Sequence, residues 1–472
     1  MNINAPTASI NTPTASINMS TASINMPTAS INAPDSARMI IDMLERNGFE
    51  AFVVGGCVRD SLMGRAPKDW DVCTSALPEQ TLQVFRDFHV IKTGLKHGTV
   101  TVIAENDAIE VTTYRIDGDY SDNRRPDSVE FTRNLREDLS RRDFTVNAMA
   151  FNPKTGIADY FEGMDDLNAR IIRCVGEPAK RFQEDALRIM RAMRFAAVLG
   201  FSIDDATASA MRENRGLLKN IAAERIAAEL NGLIVGDRVR DVLQKNLSVL
   251  TEVIPELAAA AGFEQNNPYH CYDVLTHIFY SVENAPRDTR LRLTMLLHDV
   301  AKPERYTEKD GTGHFYGHAR RSAEMAKEIL LRLKYDNDTI HTVRELIFYH
   351  DADIRPHRKQ IKKWLRKLGE KRMRELIEVK RADAKAQAAP YSDEKLAALF
   401  NTAALIDDVI EQGQCFSLKD LAVNGRDLIS AGVPEGTMIG TILDRLVDMV
   451  IDEKVENDRA ALLELAKQMQ IE

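Results

Sequence analysis

The sequence predicts a small α/β head built on a mixed sheet, followed by a long all-α body. Three observations carry that prediction. Short apolar or alternating segments, FEAFVVGG, DWDVCTSA, HVIKTG, GTVTVIAEN and AIEVTTYR, crowd together early in the chain and read as strands. Between and before them, SARMIIDMLERNG, CVRDSLMGR and PEQTLQVFRDF read as helices, the first ending on Gly48. After about residue 165 the strand signals cease, and RFQEDALRIMRAMRFAAVLG, AAERIAAELNGLIVG, TRLRLTMLLHDVA and SAEMAKEILLRL are helix-periodic.

At 472 residues the chain exceeds one ordinary domain, since a domain takes roughly 150 residues. Residues 1–35 are set apart by a seven-residue repeat, PTASINT PTASINM STASINM PTASINA, with no charge before Asp35. Proline in nearly every unit forbids a coiled-coil seam, so this tail is expected to be disordered. The expected units are then a head over 36–165, a helical neck over 166–236, a helical domain over 237–400 and a C-terminal helical segment over 401–472.

Composition narrows the function classes. No run approaches the roughly 18 apolar residues of a membrane span, and the N-terminus has no basic-then-apolar leader, which suggests a cytoplasmic protein without membrane contact. Five scattered cysteines without a CxxC spacing suit reduced core thiols. A net charge of −9 argues against wholesale coating of nucleic acid. Yet from Arg355 to Arg381 there are twelve Lys and Arg against three Glu. That stripe is either a phosphate-tracking surface or a solvated helix face.

In KDWDVCT, Asp69 and Asp71 fall two apart in a predicted strand and so project from one side. Two such carboxylates repel unless a cation lies between them, and hard ions such as Mg2+ prefer oxygen ligands. A bare pair of this kind is also common on an exposed polar strand. The upstream VVGGCVRD favours the clamp, because its strand, Gly55-Gly56 turn and helix start offer N–H groups to a phosphate. Glu110, on another predicted strand, can complete a site for two ions.

VVGGCVRDSLMGRAPKDWDVCTSA resembles the catalytic signature of class II nucleotidyltransferases, the family of tRNA CCA-adding enzymes and bacterial poly(A) polymerases within the DNA polymerase β superfamily. The likeness continues through TGLKHGTVTV, RRDFTVNAMAF, GMDDLNARIIRCVG, RFQEDALRIMRAMRFAAVLGF and AAERIAAEL in the family's order, closely over residues 36–235 and more loosely beyond. It implies a polymerase β-like head in which Asp69 and Asp71 hold Mg2+, with Glu110 the further catalytic carboxylate read from its strand. It also implies that Gly55, Gly56, Arg59 and Asp60 form the loop around the triphosphate. Arg141, Arg142, Asp143 and Asn147 correspond to the segment that recognises ribose and supports the triphosphate; Asp143 can equally be a helix cap.

The EDALR motif is expected to choose the base. Glu184, Asp185 and Arg188 fall in a predicted helix, with Asp185 and Arg188 three apart on one face. A carboxylate only accepts hydrogen bonds and a guanidinium only donates, so the pair suits the amine and ring nitrogen of cytosine and adenine and rejects guanine and uracil. Without its neighbours this would be an ordinary surface ion pair.

RIDGDYSDNRRPDSVEF reads as a flexible loop, matching the one associated in CCA-adding enzymes with the switch from C to A addition. HVIKTGLKHGTVTV has the form found in CCA-adding enzymes, where poly(A) polymerases of the class carry a different segment.

A second cluster lies in the body: His270, His298, Asp299, His318, His350 and Asp383. Seven of the ten histidines fall between His270 and His350. The pattern resembles an HD domain, the metal-dependent phosphohydrolase fold, and implies a second divalent metal there, unless the scaffold is structural only. The last segment, VNGRDLISAGVPEGTMIGTILDRLVDMVIDEKVEND, resembles the family's C-terminal support for the tRNA acceptor stem and elbow. The expectation is thus a two-metal nucleotidyltransferase adding C, C and A to tRNA from CTP and ATP, with no obligate protein partner. The alternatives are A-only or poly(A) addition, or an HD phosphohydrolase whose head presents RNA.

Overall fold

The computed structural model describes residues 31–105, 107–118 and 128–469. The repeat over residues 1–30 and the tip of the expected loop, residues 119–127, lie outside the described residues. Ile31 and Ala33, expected to belong to the tail, are buried in the head's core.

The head opens with α1 (Asp35–Arg46), which buries Ala37, Ile40, Ile41 and Leu44 at helical spacing. β1 (Ala51–Val54) leads through the Gly55 turn into α2 (Gly56–Leu62), and β2 (Asp71–Thr74) precedes α3 (Pro78–Val84). Next come β3 (His89–Ile91), β4 (Thr99–Ala104) and β5 (Asp107–Thr113). A short antiparallel hairpin, β6 (Arg115–Asp117) with β7 (Val129–Phe131), forms the described stem of the loop. After α4 (Leu135–Ser140), β8 (Met149–Asn152) and β9 (Gly156–Asp159) complete a seven-stranded sheet of order β3-β4-β5-β2-β1-β8-β9. The sheet is mixed: β2 and β5 are parallel, with Asp71 registered beside Glu110, and the other neighbours are antiparallel. Central β1 is almost wholly apolar because both its faces are covered.

α5 (Gly163–Ala169) leads to the neck, α6 (Pro178–Glu184), α7 (Leu187–Leu199), α8 (Asp205–Asn214) and α9 (Ala223–Ile234). The expectation that strands end near residue 165 needs correction. Ile171–Ile172 pairs with Ser202–Ile203, and Thr307–Lys309 forms a hairpin with Thr312–His314. These pieces are two or three residues long, too short for alternation to announce them.

The body continues with α10 (Val239–Lys245), α11 (Leu247–Val253), α12 (Val274–Asn284), α13 (Thr289–Leu297), α14 (His318–Arg332) and α15 (Asn337–Tyr349). α16 (Arg358–Lys385) is interrupted at Gly369, whose φ of 74° is left-handed backbone. α17 (Tyr391–Glu411), α18 (Gly425–Ser430), α19 (Thr437–Ile451) and α20 (Arg459–Gln468) close the chain. The last three pack a core of their own, around Leu428, Leu446 and Leu462.

Candidate active site and a candidate metal centre

Asp71 opens β2 and Asp69 stands just before it, so the strand begins later than the sequence predicts. Trp70 between them packs against the core. Glu110 is Asp71's partner in the parallel pairing. Crowding by protein, then the charges of Glu110 and Asp69, raise the Asp71 pKa, while Arg142 pulls the other way. These exposed carboxylates on and beside neighbouring strands do not converge on one point as the residues stand, but they offer oxygen donors of the kind hard divalent cations take.

Opposite them, Gly55 has a φ of 86°, and a Cβ there would lie 2.9 Å from Arg142 Nη1. Only glycine lets the guanidinium approach the turn. Arg142 Nε is buried and donates no hydrogen bond among the described residues. Gly56 starts α2, with its added Cβ 3.6 Å from Arg59 Nη2.

Arg59 is buried, pairs with Asp60 at 2.8 Å and donates to Asn147 Oδ1. Asn147 in turn donates to Asp143 Oδ1 at 3.1 Å, and Arg191 donates to Asp143 Oδ2 through Nε at 2.8 Å and Nη2 at 2.6 Å. Burial alone would raise the Asp143 pKa; Arg191 and Asn147 outweigh it and hold the carboxyl at about 2. Asp143 also accepts from the Phe144 N–H, so it combines a turn-capping bond with a tie to the neck.

Several residues here escaped the sequence reading. Asp138 is fully buried, accepts from Arg141 at 3.0 and 2.8 Å, and lies 3.8 Å from Arg142. Its spacing, three and four residues before those arginines, was the available signal. Arg191, Arg194 and Phe195 were missed too. The guanidinium carbons of Arg59, Arg191 and Arg194 lie 5.1, 5.2 and 4.2 Å from the Phe195 ring centroid.

The helix expected to carry EDALR is broken, which corrects the expected Asp185–Arg188 face. α6 ends at Glu184, Asp185 is extended at φ −136° and ψ 101°, and α7 starts at Leu187. Asp185 Oδ1 accepts from the Leu187 N–H at 3.1 Å, a local bond that starts the new helix and competes with continuing the old one. Its Oδ2 accepts from Arg225 at 3.2 Å. Arg188 instead donates to Glu184 at 2.8 Å and to the carbonyls of Arg181 and Arg141 at 3.1 and 2.8 Å.

Known proteins can be set beside this geometry. A family model described as "Poly A polymerase head domain" matches residues 51–173, and another, for tRNA nucleotidyltransferase domain 2, matches residues 315–466. The CCA-adding enzyme of Limosilactobacillus reuteri is 33% identical over 448 residues, spanning 92% of this chain and 96% of its own length. The chain belongs to the CCA-adding enzyme family. The CCA-adding enzyme of Geobacillus kaustophilus is 35% identical over 430 residues, spanning 90% and 94% of the two chains. The crystal structure of the Bacillus stearothermophilus CCA-adding enzyme in complex with CTP superposes with a TM-score of 0.67 at 30% identity, covering 92% of this chain and 97% of that one. CCA-adding enzymes belong to a nucleotidyltransferase class that uses divalent metal, and the carboxylates above suit that use.

Elsewhere in this CCA-adding family member, several cations of the basic stripe on α16 pair with acids of neighbouring elements while remaining partly open to solvent. Arg358 pairs with Asp408, Lys363 with Asp452 at 2.8 Å, Arg366 with Asp448 at 2.9 Å, and Arg374 with Asp407 at 2.7 Å. Much of the local positive charge fastens α16 to α17, α19 and the turn after α19.

The body's histidines converge at the ends of α12 to α16. His277 Nε2 lies 3.0 Å from Asp383 and 3.4 Å from Asp299 Oδ2, and His298 Nε2 lies 3.2 Å from Asp299 Oδ2. His318 and His350 face the other oxygen, Asp299 Oδ1, at 3.3 and 3.6 Å. His270, expected as a ligand, stands beside His277 with ring centroids 5.0 Å apart and joins neither group of converging donors. His277 takes that place; it ends the same YHCYDVLTH stretch and sits on α12, whose helical register aims it inward.

The hydrogen bonds fix which nitrogen of each ring faces outward. Nδ1 of His277, His298, His318 and His350 each faces a backbone carbonyl, at 3.1, 2.7, 2.8 and 2.6 Å. Carbonyls only accept, so each Nδ1 carries hydrogen, and a ring that is neutral turns a bare Nε2 inward. At His298 burial pulls the pKa down, but Asp299 and Asp383 outweigh it and push it up to about 9. With no metal bound, that ring therefore holds a second proton against Asp299, which a metal would displace. Yet those Nε2 atoms meet in pairs, His277 with His298 and His318 with His350, both at 3.3 Å. Asp299 is buried, and neither oxygen accepts a well-formed hydrogen bond, although Lys302 Nζ stands 2.7 Å away. Inward lone pairs around a buried carboxylate fit a divalent metal.

Proposed function

We propose that this protein extends tRNA 3′ ends by C, C and A from CTP and ATP, without a nucleic-acid template, releasing pyrophosphate. The observation that carries the reading is the Asp69, Asp71 and Glu110 cluster facing Arg142 across the Gly55 turn, in a chain of the CCA-adding family. Asp69 and Asp71, with Glu110 alongside, would hold Mg2+. Bound there, Mg2+ supplies Lewis-acid activation of the 3′-hydroxyl and neutralises the leaving pyrophosphate.

The chain's own residues do the rest. Gly55 and Gly56 let backbone N–H groups and the unsatisfied Arg142 Nε approach the triphosphate. Asp60 and Asn147 orient Arg59 beside it, and Arg141 and Asp143 hold the ribose-facing segment through Asp138 and Arg191. Asp185 and Arg188 read the amine and ring nitrogen of C or A across the break between α6 and α7, with Glu184 steadying Arg188. Residues 36–165 thus act as the catalytic head, 166–236 as the base-choosing neck and 401–472 as support for the tRNA acceptor stem and elbow. No helix among the described residues is long and apolar enough to cross a membrane. All five cysteines are unpaired, which suits work in the cytoplasm.

The test is incorporation on tRNA lacking its last three nucleotides. Growth by three only when CTP and ATP are both present is expected. A long ladder with ATP alone would overturn the reading in favour of poly(A) addition.

The inward lone pairs of the body favour a second reading alongside the first: residues 237–400 hold a divalent metal between His277, His298, Asp299 and Asp383, with His318 and His350 on the other side of Asp299. Such a centre suits hydrolysis of a phosphoester, including a cyclic phosphate or a 2′-nucleotide. Metal analysis of the purified chain against Asp299→Asn tests it. Equal, negligible metal in both would reduce the cluster to a structural core.

A further inference from the structure

Three guanidiniums gather around one benzene ring. The central carbons of Arg59, Arg191 and Arg194 lie 5.1, 5.2 and 4.2 Å from the Phe195 centroid, and Phe195 itself is only 7% exposed. Like charges brought so near one another repel. Each has an acid of its own: Asp60 stands 2.8 Å from Arg59, Asp143 2.6 Å from Arg191 and Glu229 2.5 Å from Arg194. Those acids neutralise the charges, but they come from different elements and hold no two of the three planar groups in common, apart from a long contact of Glu229 to Arg191 at 3.7 Å. What all three guanidiniums share is the ring, whose negative faces attract cations.

The ring is fixed from two sides. Phe144 meets it edge to face, with centroids 5.8 Å apart and planes 81° apart, and the Phe144 N–H donates to Asp143 Oδ1. On the other side α9 supplies room. A Cβ on Gly232 would lie 2.3 Å from Arg194 Cδ and 3.1 Å from its Cγ. Glycine weakens the middle of a helix, where alanine would strengthen it. At Gly232 the missing side chain is what lets the stem of Arg194 lie against α9, with its Nε reaching Glu229 three residues earlier on the same helix.

This assembly stands between the two halves of the nucleotide site. Arg59 belongs to α2 and the Gly55 turn of the head, whereas Arg191, Arg194 and Phe195 belong to α7, whose first turn carries Arg188. We infer that Phe195 is a positioning residue for the incoming nucleotide: its ring, with Arg194 set against it by Gly232 and Glu229, holds the Arg59 guanidinium where the triphosphate arrives. The inference rests on the CCA-adding reading above and adds to it a side chain that touches neither base nor metal. CTP and ATP share the triphosphate, so a ring acting through Arg59 affects both alike. The choice against UTP and GTP is left to Asp185 and Arg188.

The experiment replaces Phe195, in the full chain, by phenylalanines carrying one, two and three fluorines, which closely keep the shape of the ring and withdraw charge from its faces in steps. KM and kcat are measured for CTP on tRNA lacking its last three nucleotides and for ATP on tRNA lacking only the last. KM is expected to rise with each fluorine, about fivefold by the third and equally for both nucleotides, while kcat and the melting temperature hold. A ring that only fills space gives a flat series, which overturns the inference and leaves the CCA-adding reading standing. A rise for one nucleotide alone also overturns it, because the ring would then act on the base. Gly232→Ala tests the other side of the arrangement: KM for both nucleotides is expected to rise about threefold although the melting temperature holds or increases, since alanine favours the helix. Unchanged KM in Gly232→Ala separates Arg194 from nucleotide binding and overturns the inference as stated. No incorporation by the unaltered protein overturns the CCA-adding reading and the inference together.

Discussion

Asp71 and Glu110 are register partners in the parallel pairing of β2 and β5, so two carboxylates stand side by side on neighbouring inner strands of the sheet. Burial first, and then the like charges of Glu110 and the adjoining Asp69, raise the Asp71 pKa, while Arg142 lowers it. The apo arrangement is therefore mildly self-repelling, and a divalent cation relieves it.

Asp71→Asn should abolish nucleotide incorporation, by on the order of 10^3-fold or more, because it removes a ligand for ions needed in the transition state. It should not lower the melting temperature in the absence of metal. Added Mg2+ should raise the melting temperature of the unaltered protein and do so less for the variant. Equal stabilisation of both by Mg2+ would remove Asp71 from the metal site.

The tie between Asp143 and Arg191 makes a pH prediction. The folded Asp143 carboxyl titrates at about 2, below its unfolded value of about 3.9. A depressed acid contributes stability that is complete above the unfolded value and is lost as pH falls through the folded one. Urea midpoints should therefore fall between about pH 4 and pH 2, with about 2 kcal/mol at stake. Asp143→Asn should be less stable at pH 7 and show a shallower decline across that window. Parallel pH curves for the two proteins would mean that Asp143 is not held by Arg191.

How much of this was legible beforehand depended on range. The pairing of Asp71 with Glu110 was open to the sequence because Glu110 lay on a strand that could pair with β2, whereas Asp69, expected on the same strand by alternation, falls just outside it. The mixed sheet and helical body were readable because strand alternation and helical period are local. The break at Asp185 was not, since the helical period runs straight through EDALR and only the Leu187 bond and distant Arg225 stop it. The role of α16 was also hidden: its charge was visible, but the answering Asp408, Asp448 and Asp452 are remote in sequence. His277 was within view and was passed over because helical register, not spacing from other histidines, decides which imidazole turns inward.

The α16 pairings predict how that stripe fails. Lys363→Ala with Arg366→Ala removes ties to Asp452, Asp444 and Asp448. If those cations fasten helices, the pair of changes should lower the urea midpoint of the C-terminal segment and leave the salt dependence of tRNA binding unchanged. Loss of about one unit of logarithmic salt slope per cation, without loss of stability, would show that they contact phosphates instead.

Arg292 makes the sharpest stability prediction. It is 4% exposed, and its guanidinium donates to the carbonyls of Ile234 at 2.6 Å, Gly236 at 2.9 Å, Ala285 at 3.2 Å and Glu283 at 3.4 Å. Those carbonyls end α9 and α12, so one side chain satisfies helix termini from the neck and the body at once. Arg292→Met leaves buried carbonyls without donors and should cost about 2–4 kcal/mol. Arg292→Lys should recover little, because an ammonium lacks the planar fork that reaches both helix ends. Since the joined elements set the angle between neck and body, incorporation by Arg292→Met should fall off at a lower temperature than that of the unaltered protein, while activity at low temperature persists. Unchanged urea midpoints in Arg292→Met would show that water serves those carbonyls equally well.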